Sequence, residues 1–296
     1  MSSVSDHLGP GFTEEASAEV TAAAFDGTPD ARLREILQRL THHVHAFVKD
    51  IGLTQSEWEQ GIEFLTATGQ KCDATRQEFI LLSDVFGVSM LVDAITHRVP
   101  RGATESTVLG PFHMTESPRR ELGENISAGE GGDPCLILGT VRSVDGEPIP
   151  DAVVDVWQAD DHGFYDVQNP GTTPAGNLRG LFTTDPKGSF HFRTIVPAPY
   201  PIPTDGPVGM LLERAHRHPY RPAHIHFIAQ ADGCRPLITH IFVAGSPYLD
   251  SDAVFGVKDS LITAFRTIDD PVLAQRYGMP NPCTVARIDL VLAAES

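Results

Sequence analysis

The chain has 296 residues, is 41% hydrophobic and 21% charged, and carries a formal net charge of −17. That is room for one large domain or two ordinary ones with a real core. The acidic surface excludes nucleic acid and anionic membranes as natural partners and favours a neutral small molecule over a strongly anionic one.

Residues 1 to about 30, rich in Ala, Ser, Thr and Glu, read as a short helix or a loose arm. The opening stretch lacks a basic region followed by an apolar run, so no secretory signal is expected. No run of about 18 apolar residues occurs, and no membrane insertion is expected. Cys72, Cys135, Cys234 and Cys283 form no CxxC pair. They read as reduced thiols of a cytoplasmic protein.

The segment ARLREILQRLTHHVHAFVKDIG spaces Leu33, Ile36, Leu37, Leu40, Val44, Phe47 and Val48 as one helical stripe, with Gly52 as its stop. His42, His43 and His45 fall on different sides of that helix, which argues for solvated or capping roles. Thr54 with Glu57 forms a capping box ahead of Trp58, Ile62 and Leu65. A third helical stretch is expected from about Ala74 to Thr96. Residues 1–105 therefore read as a helical domain.

The texture changes near residue 106. LILGTVRSVDGEPIPDAVVDVWQADDHG contains two strands around an Asp145-Gly146 turn. Further strands are expected at 178–183, 188–195, 223–230, 236–243 and 284–293. Short strands with frequent turns imply an antiparallel β-sandwich over residues 106–296. The whole is then an α+β protein.

Chemistry concentrates in RPAHIHF. A strand places His224 and His226 on one face, several ångströms apart, while Ile225 faces the apolar layer. That spacing suits one metal ion. Tyr165 in HGFYDV and Tyr200 in the proline-rich VPAPYPIPTDGPVG lie in stiff, unusual loops beside this pair. The cheaper reading of each tyrosine alone is a packing aromatic.

Taken together, EFILLSDVFGVSMLVD, TVLGPF, GFYDVQ, LRGLFTTDPKGSFHFRTIVPAPYPIPTDGPVG, RHPYRPAHIHF and YLDSDAVFGVKDSL resemble the intradiol ring-cleavage dioxygenases, the catechol and hydroxyquinol 1,2-dioxygenase family. The likeness spans nearly everything beyond residue 75. It implies an N-terminal helical dimerisation domain, a homodimer with phospholipid bound in its interface, and ferric iron held by Tyr165, Tyr200, His224 and His226. Two hard phenolates suit Fe(III). Iron(III), two phenolates and one hydroxide sum to zero charge, as do iron(III), one phenolate and a diol dianion. A neutral diol can therefore bind if one proton goes to hydroxide and one to a departing tyrosinate. The resemblance makes that ligand Tyr200, while Tyr165 stays.

The resemblance also implies a site role for Arg221, a fixed cation beside an electron-rich ring. His240 stands where the catechol enzymes usually carry glutamine, and joins the catalytic set as a departure from that pattern. The matching substrate pocket is Leu81, Asp84, Val108, Leu109, Gly110, Pro111, Phe112, Ile202, Pro203 and Val254. Asp84 is the odd member. It sits among apolar neighbours, on one helical face with Leu81 and Val88, and a buried carboxylate needs a partner. A third ring hydroxyl would supply one. The hydroxyquinol enzymes share this aspartate, which points to cleavage of hydroxyquinol (1,2,4-trihydroxybenzene) with O₂ to 3-hydroxy-cis,cis-muconate, or maleylacetate. Catechol or chlorocatechol is the alternative substrate. Two rivals lie outside this chemistry. One is a transthyretin-like binding sandwich, which GTVRSVDGEPIPDAVVDVWQ also resembles. The other is a zinc hydrolase built on His224 and His226.

Overall fold

A computed structural model describes residues 11–73, 76–110, 112–113, 117–128, 131–168, 171 and 173–295. The chain divides into two compact units, Met1–Thr66 and Ala67–Ser296.

In the first unit α1 spans Ser17–Ala23 and α2 spans Ala31–Ile51, while α3 runs Gln55–Gln70 across the division. The starts of α2 and α3 have a local cause. The Asp30 carboxylate accepts from the free Arg32 and Leu33 amides at the start of α2. The expected capping box opens α3: Glu57 Oε2 accepts from the Thr54 amide at 2.9 Å, and Thr54 Oγ1 accepts from the Glu57 amide at 3.3 Å. His45 meets Ser17 Oγ at 3.1 Å, a local contact between α2 and α1. No residue of α2 is buried, and its apolar stripe is exposed: Leu33 46%, Ile36 45%, Leu40 56%, Val44 48% and Phe47 58%.

The second unit contains the helices α4 (Glu78–Val85), α5 (Val88–Thr96), α6 (Pro207–Arg214) and α7 (Pro271–Tyr277). The single helix expected over 74–96 is two helices bent by 80°, broken at Phe86–Gly87. No single described helix is long and apolar enough to cross a membrane.

The strands are β1 (Pro134–Ser143), β2 (Val153–Gln158), β3 (Arg179–Thr183), β4 (Ser189–Ile195), β5 (Tyr200–Pro201), β6 (Tyr220–Arg221), β7 (His224–Gln230), β8 (Leu237–Val243), β9 (Ile262–Thr263), β10 (Arg266–Ile268) and β11 (Cys283–Leu292). They form sheets in the orders β10-β11-β1-β4 and β3-β2-β7-β8-β9, with β5-β6 as a separate ribbon.

The sandwich is mixed rather than purely antiparallel, because β1 pairs with β11 and β8 with β9 in parallel. Hairpins force antiparallel pairing, but β1 and β11 lie far apart in the chain and either direction is open to them. The Asp145-Gly146 turn closes a short hairpin, in which the Ser143 amide donates to Glu147 O and the Ile149 amide to Val141 O. β2 does not pair with β1 but joins the other sheet, so the chain crosses the sandwich between Ile149 and Val153.

Alternation along the strands builds the core. Val154, Val156, Phe182, Ile225, Phe227 and Ala229 from one sheet join Ile137, Val141, Phe190, Phe192, Ile288 and Leu290 from the other, all buried. Helices α4 and α5 and the strap that follows them belong to this unit. The Thr104 amide donates to Val291 O, the Thr107 amide to Ile238 O, and buried Glu78 accepts from the Val208 amide at the start of α6. That is why the compact units divide well ahead of residue 106.

Candidate metal centre

Strand β7 turns Ile225, Phe227 and Ala229 inward and leaves His224 and His226 on the outer face of its sheet, the consequence of a two-residue period. Its neighbours supply the walls. His226 lies opposite Trp157 of β2 and His240 of β8. The Trp157 indole stacks on the His226 ring at 4.5 Å and 14°.

The tyrosines come from loops. Tyr165 follows β2, and Tyr200 pairs with Arg221 in the β5-β6 ribbon. Gly163 lets these segments meet. Its φ is +86°, and a Cβ there would lie 2.9 Å from Tyr200 Cβ and 3.1 Å from Pro199 O. A buried pair anchors the Tyr165 loop: Arg179 Nε donates to Asp166 Oδ1 at 2.8 Å, and the Gly176 amide donates to Asp166 Oδ2.

The donor atoms converge. Tyr165 Oη lies 2.9 Å from His226 Nε2, and His224 Nε2 lies 3.2 Å from the same nitrogen. Tyr200 shares a hydrogen bond with Tyr165, and its ring centroid is 5.4 Å from that of His224. A first-row metal ion holds N and O donors at about 2.0–2.2 Å, so adjacent donors around it stand about 3 Å apart. The observed spacings match that. Among the described residues, His224, His226 and His240 form a buried metal-capable triad. His240, however, presents Nε2 to the outer nitrogen of His226, Nδ1, at 2.8 Å, on the far side from Tyr165. The donor set that converges on one point is two imidazole nitrogens with two phenols.

Burial controls the charges. Desolvation holds the Tyr165 phenol well above its ordinary range; the neighbouring Tyr200 adds to this, and Arg221 and Arg179 oppose it only in part. Desolvation likewise holds His224, His226 and His240 well below the ordinary imidazole range, with the Arg221 charge pushing the same way. The pocket thus presents neutral imidazoles and, in Tyr165, a phenol that only a strong cation could ionise. Burial alone would depress the Arg221 guanidinium, but Asp252 and the two tyrosines outweigh it and raise it. Arg221 Nε and Nη2 donate to the two Asp252 oxygens at 3.1 and 3.3 Å, and Nη1 lies 3.3 Å from His224 Nε2.

Next to this cluster lies a cavity of about 640 Å³. Leu81, Asp84, Val108, Leu109, Gly110, Phe112 and Pro203 line it as expected, joined by Arg76, Glu78, Ser89, His113 and Gln168. Phe112 stacks on Tyr165 at 4.6 Å and so joins cavity to metal cluster. Ile202 and Val254 are buried behind the lining, packed with Leu81. Pro111 lies outside the described residues. Burial raises the Asp84 carboxyl above its ordinary value, with Ser89 and Arg221 offsetting part of the effect. A larger cavity of about 900 Å³, around Arg98, Arg101, Glu105 and Arg287, contains none of these groups.

Sequence reasoning missed Asp252, Asp166, Arg179, Trp157 and Gly163. Quoted segments contained them without singling them out: YLDSDAVFGVKDSL holds Asp252, GFYDVQ holds Gly163 and Asp166, LRGLFTTDPKGSFHFRTIVPAPYPIPTDGPVG holds Arg179, and GTVRSVDGEPIPDAVVDVWQ holds Trp157.

Comparison with known proteins agrees with this geometry. The dioxygenase family model matches residues 109–294, and the model for the catechol dioxygenase N terminus matches 30–104. The chain belongs to the intradiol ring-cleavage dioxygenases. It is 51% identical to a hydroxyquinol 1,2-dioxygenase of a Rhizobium species, covering 91% of this chain and 92% of that protein. It is 53% identical to a 6-chlorohydroxyquinol 1,2-dioxygenase of Cupriavidus pinatubonensis, covering 79% and 85%. A crystal structure of hydroxyquinol 1,2-dioxygenase from Pseudomonas putida superposes with a TM-score of 0.90 at 49% identity, covering 95% of this chain and 99% of that one. The transthyretin-like binding module and the zinc hydrolase give way to this family.

Proposed function

We propose that the protein cleaves hydroxyquinol between its two adjacent hydroxyl-bearing carbons, with O₂ as co-substrate, to 3-hydroxy-cis,cis-muconate or its tautomer maleylacetate. The observation that carries this reading is Asp84, a carboxylate only 8% exposed in the wall of a cavity beside the metal-capable cluster. A third ring hydroxyl would give that carboxylate a further donor beside Ser89, which catechol cannot supply. The names of the relatives point to the same substrate.

Tyr165, Tyr200, His224 and His226 would hold ferric iron. Fe(III) would supply Lewis acidity, drawing electron density from the bound diol so that O₂ can attack a ring carbon. The protein's own groups do the rest. Tyr200 Oη takes a diol proton, and Tyr165 remains in place. Arg221, clamped by Asp252, keeps a fixed positive charge beside the ring as negative charge develops there. Phe112, stacked on Tyr165, limits water at the cluster. Asp84 accepts from the third hydroxyl and sets the ring's orientation.

The helical region, residues 1–105, would serve as a dimerisation domain and residues 106–296 as the catalytic domain. The exposed stripe on α2 supports a homodimer through the N-terminal helices, with phospholipid in that interface. Four free thiols fit a cytoplasmic setting.

O₂ uptake measured side by side with hydroxyquinol and catechol, with the product identified, tests the substrate. The purified protein should be red-brown from phenolate-to-Fe(III) charge transfer, with about one iron per chain. Zinc without iron on elemental analysis would end the reading.

A further inference from the structure

The mechanism above leaves His240 without a task, although it is completely buried and hydrogen-bonded at both ring nitrogens. Its Nε2 stands 2.8 Å from His226 Nδ1, and its Nδ1 stands 2.9 Å from Thr107 Oγ1. Thr107 and His226 are 2% and 1% exposed, so water does not compete for these contacts.

Thr107 opens a strap that is pinned along β8. Its amide donates to Ile238 O at 2.9 Å, and Thr239 Oγ1 donates to Glu105 O at 2.7 Å. Lys258 Nζ donates to Ser106 O at 2.7 Å. The same strap carries Val108, Leu109 and Gly110 into the wall of the 640 Å³ cavity. At Gly110 it presses on the metal-side histidine directly: a Cβ there would lie 2.9 Å from His226 Cε1. The strap therefore touches His226 twice, once through the His240 relay and once through the backbone at Gly110.

Counting protons in this relay leaves two arrangements. In the first, Thr107 O–H donates to His240 Nδ1 and His240 Nε2–H donates to His226 Nδ1. That forces the His226 proton onto Nε2, the nitrogen facing Tyr165 and His224, and blocks its lone pair. In the second, His226 Nδ1–H donates to His240 Nε2 and His240 Nδ1–H donates to Thr107 Oγ1. Only the second frees His226 Nε2 to bind a cation. His224 reaches the same state more simply, since its Nδ1–H donates to Pro222 O at 2.7 Å and a carbonyl can only accept.

We propose that His240 is a positioning residue, which together with Thr107 selects the metal-binding tautomer of His226 and ties that ligand to the strap lining the substrate cavity. The proposal rests on the reading of His226 as a metal ligand. It requires of residue 240 an acceptor toward His226 and a donor toward Thr107. A glutamine carboxamide offers the same pair through Oε1 and Nε2–H; a leucine offers neither.

The test uses the full-length protein and its His240→Gln, His240→Leu and Thr107→Val variants. Three readouts are taken: Fe(III) affinity by chelator competition, the ¹⁵N tautomer signature of His226 in protein loaded with diamagnetic Ga(III), and the split between KM and kcat. His240→Leu should lose about 10- to 100-fold in Fe(III) affinity, the usual cost of removing such an outer partner. His240→Gln should recover most of that loss and keep the Nδ1–H signature. Thr107→Val should keep Fe(III) affinity within a few-fold but raise KM for the diol more than it lowers kcat, because the strap loses its tie. Equal Fe(III) affinity in wild type and all three variants would overturn the relay while leaving the metal site intact. Equal losses in His240→Gln and His240→Leu would make residue 240 a packing group and overturn it too. Should His240→Leu fail to fold, His240→Gln and Thr107→Val decide: a Gln variant losing 10-fold or more, or a Val variant with unchanged KM, sinks the proposal. A wild-type protein that takes up no Fe(III) defeats the metal reading itself, a result distinct from each of these.

Discussion

At the scale of single residues, the two tyrosines divide the work by position. Tyr200 sits on a short ribbon beside Arg221, whereas Tyr165 is held against His226 by a loop with a buried ion pair beneath it. Tyr200→Phe should therefore retain iron but lose turnover by roughly 10²–10⁴-fold, the typical cost of a missing proton acceptor. Tyr165→Phe should instead lower the iron content. Wild-type turnover in Tyr200→Phe would show that the base is elsewhere. Asp84 has two measurable consequences. A hydrogen bond to a carboxylate is worth about 1.5–3 kcal/mol, so hydroxyquinol should be preferred over catechol by about 10- to 150-fold in kcat/KM. Asp84→Leu should erase that ratio while sparing iron. The second consequence is a pH effect on the unliganded protein. Burial raises the folded-state pKa of Asp84 above its ordinary value near 3.8. Its contribution to stability is then full below that value and is lost as pH rises through the raised folded-state pKa. Asp84→Asn should thus melt higher than wild type at pH 7, with the gain vanishing on acidification below the ordinary carboxylate range. Thermal scans across pH would reveal a parallel offset instead if the carboxylate were already paired.

At the scale of elements, the site depends on loops meeting at close range. Gly163 adopts φ +86° where the Tyr165 loop passes Tyr200. An alanine there meets both an unfavourable backbone region and the Pro199 carbonyl, at a cost on the order of 1–3 kcal/mol. Gly163→Ala should lower the melting temperature and, by displacing the Tyr165 loop to which Gly163 belongs, reduce iron content. Full iron loading in that variant would mean that the two segments are not closely coupled. The strands are more tolerant supports. β7 needs only its two-residue period and a hydrophobic inner face to aim His224 and His226 outward.

At the scale of the whole molecule, the exposed stripe along α2 is more apolar surface than a lone acidic protein of this size would keep in water without a use for it. The chain should sediment as a dimer at micromolar concentration. Leu40→Glu combined with Phe47→Glu should shift it to monomer, and mass spectrometry of an organic extract of the wild type should detect phospholipid. A monomeric wild type would leave the stripe unexplained and remove the dimer from the proposal.

Much of this was readable from residue order alone, because the governing forces are local and periodic. The stripe and stop of α2, the Thr54–Glu57 capping box, the inward Ile225 between outward histidines, and most strands follow from spacings of 3.6 and 2 residues. Motif likeness added Tyr165, Tyr200, Arg221 and the cavity residues around Asp84. Tertiary structure decided what depends on pairing between distant segments. It placed β1 beside β11 in parallel, sent β1 and β2 to opposite sheets, and split the helix after Val85 into α4 and α5. It also chose the partners: Asp252 for Arg221, Asp166 for Arg179, Thr107 and His226 for His240. No local pattern selects such partners. A buried charge or imidazole requires a complement, but the packed fold determines which distant residue supplies it.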